Sequence, residues 1–305
     1  MEAKERNKNG WKWKKYFWMT FVGGILLLFL FGAFHARNEY YEYEKLRTQV
    51  DISLQKANKL QNSGSFLEAR DEYEIILNNI SSNRFPDEYV LIQNNLGYIY
   101  HNLAQVQDEE ANLKKAIKSY QKSFEISTED YNIIDRAQTY NDIGDAYRDL
   151  AVITDKKDNL EKAINVYKET LNMRPVDTYP IEYAAIQNKL GVAYRMKAEG
   201  GGDVEPNLKI AFDAHYRALM IFNDEKDPIG YATVQNDLGD AFRLLAEIKD
   251  KDSNLKNAID SYNEALVIFT EEKYPVKRQT IISNLVRVQN QLLNNISTVL
   301  QNNST

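Results

Sequence analysis

The nine residues from Gln187 to Arg195, QNKLGVAYR, have three near-copies in this 305-residue chain: QNNLGYIYH, YNDIGDAYR and QNDLGDAFR. Each copy contains one glycine at a fixed place, and the spacings between these glycines are 47, 47 and 48 residues. The four glycines are Gly97, Gly144, Gly191 and Gly239. A second repeated segment follows each of them, of which NLEKAINVY from Asn159 is typical. A fixed period of this length predicts an array of stacked repeats, in which each unit contacts its neighbours.

The two segments of each repeat predict a pair of packed helices. Glycine inside a helix costs about 1 kcal/mol relative to alanine, so its recurrence needs a packing reason. In the second helix an alanine recurs, and a large side chain follows it four residues later. These large residues are Tyr120, Tyr167, His215 and Tyr262. The sequence therefore predicts that the small residue of one helix accepts the large one from the neighbouring helix, with His215 as a core residue and not a ligand.

Prolines mark the predicted helix starts, since proline is well tolerated in the first turn of a helix. Four of them lie eleven residues before the small position of the following helix: Pro86, Pro180, Pro228 and Pro275. Ile133 has this place in the second repeat, where Asp158 and Glu161 also form a capping-box pattern before the second helix. Residues 276–299 predict one more first helix without a partner, whose polar side chains suit a helix that closes the array.

Near the N-terminus, Tyr16 to Phe34 forms a run of nineteen residues without a charge. As a helix this run is about 28 Å long, close to the thickness of the hydrocarbon core of a bilayer. Residues 1–15 carry six basic and two acidic side chains, a net charge of +4. The positive-inside rule then predicts a single-pass protein of the cell membrane, with a cytoplasmic N-terminus and an extracytoplasmic repeat body. A cleaved signal peptide is the alternative, but bulky residues occupy the positions where cleavage needs small ones.

These features divide the chain into seven predicted segments. Gly64 separates the helices of the first pair, Leu46–Asn62 and Ser65–Leu77. The segments are a basic N-terminus at 1–15, a transmembrane helix at 16–34, a juxtamembrane linker at 35–44, a first helix pair at 45–82, four extended repeats at 86–275, a capping helix at 276–299 and a tail at 300–305.

Composition excludes several classes of site. The chain has no cysteine, and its three histidines are far apart and lack the spacing of ligands or of a catalytic triad. Because residues 1–15 carry +4 and the whole chain −6, residues 16–305 carry −10, which argues against nucleic acid as a partner. The sequence contains no phosphate-binding loop and no visible grouping of acid, base and nucleophile. We therefore predict no catalytic activity, no metal and no cofactor.

The repeated pattern resembles the tetratricopeptide repeat. The small–aromatic pair of the first helix and the Ala…Tyr pair of the second carry this resemblance. Ala57, Ala69 and Tyr73 have the spacing of the standard repeat of about 34 residues, whereas the four later repeats are 13 residues longer. The resemblance covers residues 45–299. It implies an all-α, right-handed superhelix, whose first helices line a concave face that binds extended peptides or helices.

Two positions on the first helices form a candidate partner-binding groove. An asparagine lies three residues before each glycine, and an arginine lies four residues after three of the four glycines. These residues are Asn94, Asn141, Asn188, Asn236, Arg148, Arg195 and Arg243. Positions seven apart share a helix face, and the family resemblance implies that this face lines the groove. There the amides could bond a peptide backbone and the arginines could bind carboxylates. The alternative is structural, with the asparagines forming a ladder between neighbouring first helices.

The sequence therefore favours a membrane-anchored scaffold that binds a protein or peptide partner. Two alternatives stay open, because the fold serves many functions. One is a sensor or envelope-assembly factor that binds a small molecule or a polymer in the groove. The other is a non-catalytic accessory subunit of an envelope enzyme.

Overall fold

The structure, a computed structural model, describes residues 2–127, 133–201 and 203–302, apart from the side chains of residues 2–12, 133–135, 296 and 298–302. The regular secondary structure of these residues consists of eleven α-helices. The chain divides into two compact units, Met1–Asn79 and Ile80–Thr305. The predicted all-α repeat solenoid is thereby confirmed as the fold class.

The N-terminal unit consists of helix α1 (Glu2–Asn62) and helix α2 (Phe66–Leu77). The predicted apolar segment, linker and first repeat helix all lie within α1, which continues through them without a break. Gly64 then turns the chain with a φ of 79°, a conformation that glycine adopts without the steric cost that other residues pay. Ala57 and Tyr73 are buried where the two helices pack.

Within α1, the segment from Trp13 to Asn62 contains the one stretch of the described residues that is long and apolar enough to cross a membrane. None of that stretch is buried against protein, and large side chains such as Leu28, Phe29 and Phe31 are exposed. Signal sequences share this length, composition and position near the N-terminus. The predicted anchor and its orientation therefore stay predictions.

The C-terminal unit contains four helix pairs and one unpaired helix. The helices are α3 (Pro86–Ala104), α4 (Glu109–Ile126), α5 (Ile133–Ile153), α6 (Lys156–Met173), α7 (Pro180–Glu199), α8 (Val204–Leu219), α9 (Pro228–Leu245), α10 (Lys251–Ile268) and α11 (Pro275–Asn302). Odd-numbered helices from α3 are the first helices of the repeats, and each of the first four packs against the second helix that follows it. The four prolines begin their helices as predicted, because a proline at the first position has no amide hydrogen to leave unpaired.

The repeated glycines allow the two helices of each pair to approach closely. A Cβ atom at Gly97 would lie 2.5 Å from the ring of Tyr120, and one at Gly144 would lie 2.6 Å from that of Tyr167. Gly191 has the same relation to the His215 ring, again at 2.6 Å. The predicted contact between small and large residues is therefore confirmed, and it explains why glycine recurs inside these helices.

The second helices begin differently from the prediction. Asp158 and Glu161 form no capping box, because α6 begins earlier, at Lys156. An aspartate with a φ between 43° and 45° precedes each second helix of the unit, and these residues are Asp108, Asp155, Asp203 and Asp250. In the first such turn the amide of Asn112 donates to the carbonyl oxygen of Gln107 at 2.8 Å. The repeated asparagine thus bonds across the turn with its side chain. The predicted capping pattern did not include this hydrogen bond.

Helix α11 occupies the place of the predicted capping helix. Ile281, Leu285 and Val288 are buried in the core that it shares with α10. It begins at Pro275 and continues to Asn302, so the first three residues of the predicted tail are helical and residues 303–305 lie outside the described residues.

Candidate functional site

The predicted asparagines lie on four successive first helices and contact the next first helix in three cases. The side-chain oxygen of Asn94 accepts from the hydroxyl of Thr139 at 3.0 Å. That of Asn141 accepts from the ammonium of Lys189 at 3.0 Å. Asn188 uses its amide nitrogen, which donates to Asp237 at 2.7 Å. These contacts form the ladder that the sequence offered as the structural alternative, so these three asparagines join neighbouring repeats.

Asn236 differs from the other three. Its amide nitrogen lies 3.3 Å from the carboxylate of the adjacent Asp237, which the amide of Asn188 also contacts. Its buried side-chain oxygen has no hydrogen-bond partner in the described part of the chain. An unpaired buried acceptor costs about 1–3 kcal/mol, so this oxygen is the exception in the ladder that needs a reason.

In the second repeat, the ladder joins a cluster of charges centred on Asp145. One carboxylate oxygen accepts from the Tyr167 hydroxyl at 2.8 Å and from Arg148 at 3.0 Å, and the other accepts from Lys189 at 2.6 Å. Arg148 also donates to Asp149 at 2.8 Å. Burial, followed by the charge of Asp145, holds the pKa of Tyr167 well above its usual value, so the phenol stays a hydrogen-bond donor.

The fourth repeat has a smaller version of this cluster around Asp240. The hydroxyl of Tyr262 donates to it at 2.5 Å, and the amide of Asn284 in α11 lies at 3.4 Å. Arg195 in the preceding repeat is 4.0 Å away. Asp240 and Asp145 thus occupy the same position, directly after the glycine, and each accepts from the large residue of its own second helix.

The third repeat has neither the tyrosine nor the aspartate. Val192 follows the glycine, and the imidazole of His215 bonds instead to the side-chain oxygen of Asn188 at 2.7 Å. Burial, assisted by the charge of Arg195, lowers the pKa of His215 to about 3. The ring is therefore neutral, and its Nδ1 donates because its partner is an amide oxygen. The predicted core role of His215 is confirmed, since the side chain is fully buried against Gly191.

The three predicted arginines all have carboxylate partners three or four residues away in the chain, or adjacent to them. Arg148 bonds to Asp145 and Asp149, whereas Arg195 contacts Glu199 and Arg243 contacts Glu247. Their side chains are only 13–24% exposed. A partner carboxylate would have to compete with these intramolecular pairs, and the binding role of the seven residues stays a prediction.

Sequence reasoning missed Thr139, Lys189 and Asp237 as the residues that complete the ladder. For Asp145, which Lys189 joins to the ladder, comparison of the repeats contains a signal. Aspartate follows the glycine in the two repeats that have an arginine and a second-helix tyrosine, whereas valine follows it where histidine replaces the tyrosine. Lys189 and Asp237 give no such signal, because the position two residues before the glycine varies between the repeats.

The comparisons with known proteins agree with this architecture. The tetratricopeptide repeat family matches residues 94–130, which include α4 and most of α3. This match supports the tetratricopeptide repeat as the family of the repeats. No curated protein matches the chain. Among the described residues, no group of three or more histidines, aspartates or glutamates is placed to hold a metal ion.

Several solved structures have a similar fold. BtubC (BKLC) from P. vanneervenii is 15% identical with a TM-score of 0.51, over 80% of this chain and 82% of that chain. MamA protein is 18% identical with a TM-score of 0.47, over 70% of this chain and 92% of that chain. A thermophilic TPR protein of Thermus thermophilus is 16% identical with a TM-score of 0.46, over 78% of this chain and 99% of that chain. At these identities the likeness concerns the fold alone.

Proposed function

We propose that this protein is a membrane-anchored adaptor that recruits a protein or peptide partner through the face of its first helices. The observation that carries this proposal is the polar ladder, which joins the first helices α3, α5, α7 and α9 side by side. A partner that lies across this face would contact several repeats at once. Tetratricopeptide repeats serve as interaction scaffolds, and the match at residues 94–130 supports such a role.

The N-terminal end of this face favours a protein partner. Tyr98, the residue after Gly97, is 47% exposed, and Leu91, seven residues before it on the same helix face, is 42% exposed. Aromatic residues are enriched where proteins bind one another, because they bury a large apolar area and keep a polar end. The face of the first helices therefore offers an apolar contact at its N-terminal end, from Tyr98 and Leu91, and the hydrogen-bonding groups of the ladder beside it.

The apolar run at Tyr16–Phe34 supports a membrane anchor, with basic residues on its N-terminal side. In this proposal the N-terminus is cytoplasmic and the repeats are extracytoplasmic. A tether of this kind confines the body to a layer beside the membrane, which raises its effective concentration for membrane partners. Protease added to intact cells should then digest residues 38–305 while a cytosolic marker stays protected. Protection of both would contradict the orientation.

Site-specific photocrosslinking in the native membrane tests the adaptor proposal. A photoreactive phenylalanine analogue replaces Tyr98 in one variant and Lys118, an exposed residue of α4, in the matched control. We expect one dominant protein adduct from position 98 and none of the same mass from position 118. Equal adducts at both positions would contradict a role for the first helices. Absence of any protein adduct would favour a small molecule or a polymer as the ligand.

A further inference from the structure

Helix α11 has an exposed stripe at the positions that are buried in other first helices. In the repeats, the stripe of the first helix that contains the glycine faces the second helix. In the first and third repeats its four residues are all buried: Gln93, Gly97, Tyr100 and Ala104, and Gln187, Gly191, Tyr194 and Ala198. The equivalents in α11 are Ile282, Val286, Gln289 and Leu293, here called the α11 stripe. Val286 is 47% exposed and Leu293 is 61% exposed, because no second helix follows α11 in the described part of the chain.

The α11 stripe also differs in its residue types. In the four repeats, a glutamine or tyrosine comes first and is followed by glycine, an aromatic or histidine-free ring position and alanine. In α11 the first, second and fourth positions are the aliphatic residues Ile282, Val286 and Leu293, and only Gln289 is polar. A helix that merely closes an array towards water is expected to carry polar residues on its outer face. An exposed aliphatic stripe at this place instead indicates a surface that another molecule covers.

Helix α11 continues well beyond the point at which the other first helices end. Those helices end six to nine residues after their glycine, whereas α11 continues for sixteen residues after Val286, to Asn302. The chain therefore does not turn back at the usual place to cover the stripe. The side chain of Asn295 donates to Asp252 near the start of α10, which attaches the extension to the last repeat. In the sequence, Ile296 and Leu300 continue the spacing of the stripe.

The spacing of the α11 stripe is that of a coiled-coil seam. Its residues alternate between steps of four and three, so they stay on one face that packs against a second helix of the same spacing. Charged residues beside such a seam usually select its partner. Here the residues beside the exposed edge of the seam, Ser283 and Asn290, are exposed and uncharged. Two identical helices can therefore pair along the stripe without like charges beside it.

The distribution of charge also favours a second copy of this chain at α11. Residues 16–305 carry −10, so two copies repel one another over most of their surface. Helix α11 is the one helix of the described chain that contains no aspartate or glutamate. Of its basic residues, Arg287 is turned by about 100° from Val286, and Lys277 and Arg278 precede the stripe. A contact along the stripe thus brings neither carboxylates nor these cations together.

Gln289 in the middle of the stripe favours a parallel pair. In a parallel seam each position meets its own copy, whereas in an antiparallel seam the two alternating positions meet each other. The parallel arrangement places two Gln289 amides opposite one another, where each can donate to and accept from the other. The antiparallel arrangement buries each amide against Val286 or Leu293, and an unpaired buried polar group costs about 1–3 kcal/mol.

We infer that α11 is a self-association helix, through which two copies of this chain pair with their α11 helices parallel along Ile282, Val286, Gln289 and Leu293. Helix α11 is about 42 Å long, and a single helix pair of this length gives an interface at the small end of the range for specific complexes. The pair is therefore weak in dilute solution. Confinement of both copies to one membrane, as in the proposed anchored form, raises their effective concentration and favours it. The inference goes beyond the adaptor function and does not require it.

Cysteine cross-linking tests the pair directly, because the chain has no cysteine of its own. Full-length Val286→Cys in its native membrane is treated with a short thiol-reactive cross-linker. We expect a product of twice the chain mass, since a parallel seam places the two introduced thiols side by side. Arg287→Cys is the matched control, because this exposed neighbour lies about 100° around the helix. Its yield of dimer should be at least tenfold lower.

A second substitution in the Val286→Cys chain tests whether the stripe holds the pair together. Leu293→Glu should lower the yield of dimer at least tenfold, because it places two like charges inside the seam. Asn294→Glu adds the same charge at the neighbouring exposed position and should leave the yield within twofold. Both variants should melt within a few degrees of the parent chain, since the two positions are exposed in a single copy.

Three results would overturn the inference. The first is an equal yield from Val286→Cys and Arg287→Cys, or no dimer from either. The second is a dimer whose yield does not respond to Leu293→Glu, which would place the contact elsewhere in the chain. The third is a cross-link from Val286→Cys to a protein of another mass, which would make a different partner the occupant of the stripe. Photocrosslinking from position 98 measures the adaptor function separately, so either proposal can fail alone.

Discussion

The second and third repeats pack their helices through the same glycine but surround it with different chemistry. In the second, Tyr167 lies on Gly144 and donates to Asp145, which also binds Arg148 and Lys189. In the third, His215 lies on Gly191 and bonds to the neutral amide of Asn188. The backbone geometry is therefore independent of the polar network above it. What differs is the free energy of protonation. The charged groups of the second repeat are paired with one another, whereas His215 of the third repeat is buried without a counter-ion.

The contact between glycine and ring, which the two repeats share, predicts the largest effect. Gly144→Val and Gly191→Val should each lower the free energy of unfolding by about 3 kcal/mol, because the new side chain overlaps a ring that cannot move away. Chemical denaturation measures both variants, with Gly200→Ala as a control, since its Cβ would meet its nearest neighbour at 3.4 Å. Losses that differ by more than about 1 kcal/mol would show that the two repeats do not share one packing geometry.

The buried histidine predicts the next effect, which depends on pH. The pKa of His215 is about 3 in the folded protein, below its ordinary value of 6.5, so the unfolded chain binds the proton more readily. Its contribution to stability is therefore complete above pH 6.5 and is lost as the pH falls towards 3. Compared with the His215→Gln variant, the wild-type protein should lose about 2 kcal/mol of unfolding free energy between about pH 7 and pH 5.

This prediction compares the wild-type protein with His215→Gln, because two aspartates change the stability with pH in the opposite direction. Burial raises the pKa of Asp142 and of Asp237 to about 6. Their folded forms hold protons more tightly, so stability falls as the pH rises from about 4 to 6. The two aspartates are present in both proteins and cancel in the difference. An equal pH dependence for wild type and His215→Gln would contradict the buried neutral histidine.

The charged cluster predicts the smallest effect of the three. Asp145→Ala should lower the free energy of unfolding by about 1.5 kcal/mol, because it removes the acceptor of Tyr167 and one partner of each cation. Arg148 keeps Asp149 and Lys189 keeps Asn141, which limits the loss. Val192→Ala, at the same position of the third repeat, has no such network and should cost less. Thermal melts of both variants at about pH 7 measure this difference, and a larger loss for Val192→Ala would reverse the comparison.

Much of the architecture was predictable because its signals repeat. The spacing of the glycines, the prolines at helix starts and the large residue of each second helix predicted the helix pairs and their contacts. The turns before the second helices were not predicted, because aspartate with positive φ follows no simple capping rule. The continuity of helix α1 through the predicted linker at 35–44 was not predicted, since a change of composition at residues 34–35 need not interrupt helical hydrogen bonds.

The candidate face was predicted only in part. A period of seven places Asn188 and Arg195 on one face, but it does not say what lies opposite them. The partners of the asparagines, Thr139, Lys189 and Asp237, come from the next repeat, 45 to 49 residues away in sequence. Such contacts depend on the stacking of two helices and on the length of each side chain, neither of which a single-chain pattern contains.

The sequence by itself determined that this chain forms stacked helix pairs, because a glycine and a large residue at fixed spacing have one efficient way to pack. It also determined that one apolar segment precedes them. Only the tertiary structure decided which polar atoms are paired within the array. Asn188 and Asn236 have the same place in their repeats, yet Asn188 is bonded on both sides and the buried side-chain oxygen of Asn236 has no partner among the described residues. The difference arises because Asp237 accepts a hydrogen bond from Asn188, whereas its equivalent in the next repeat, Asn284, contacts Asp240 instead of Asn236.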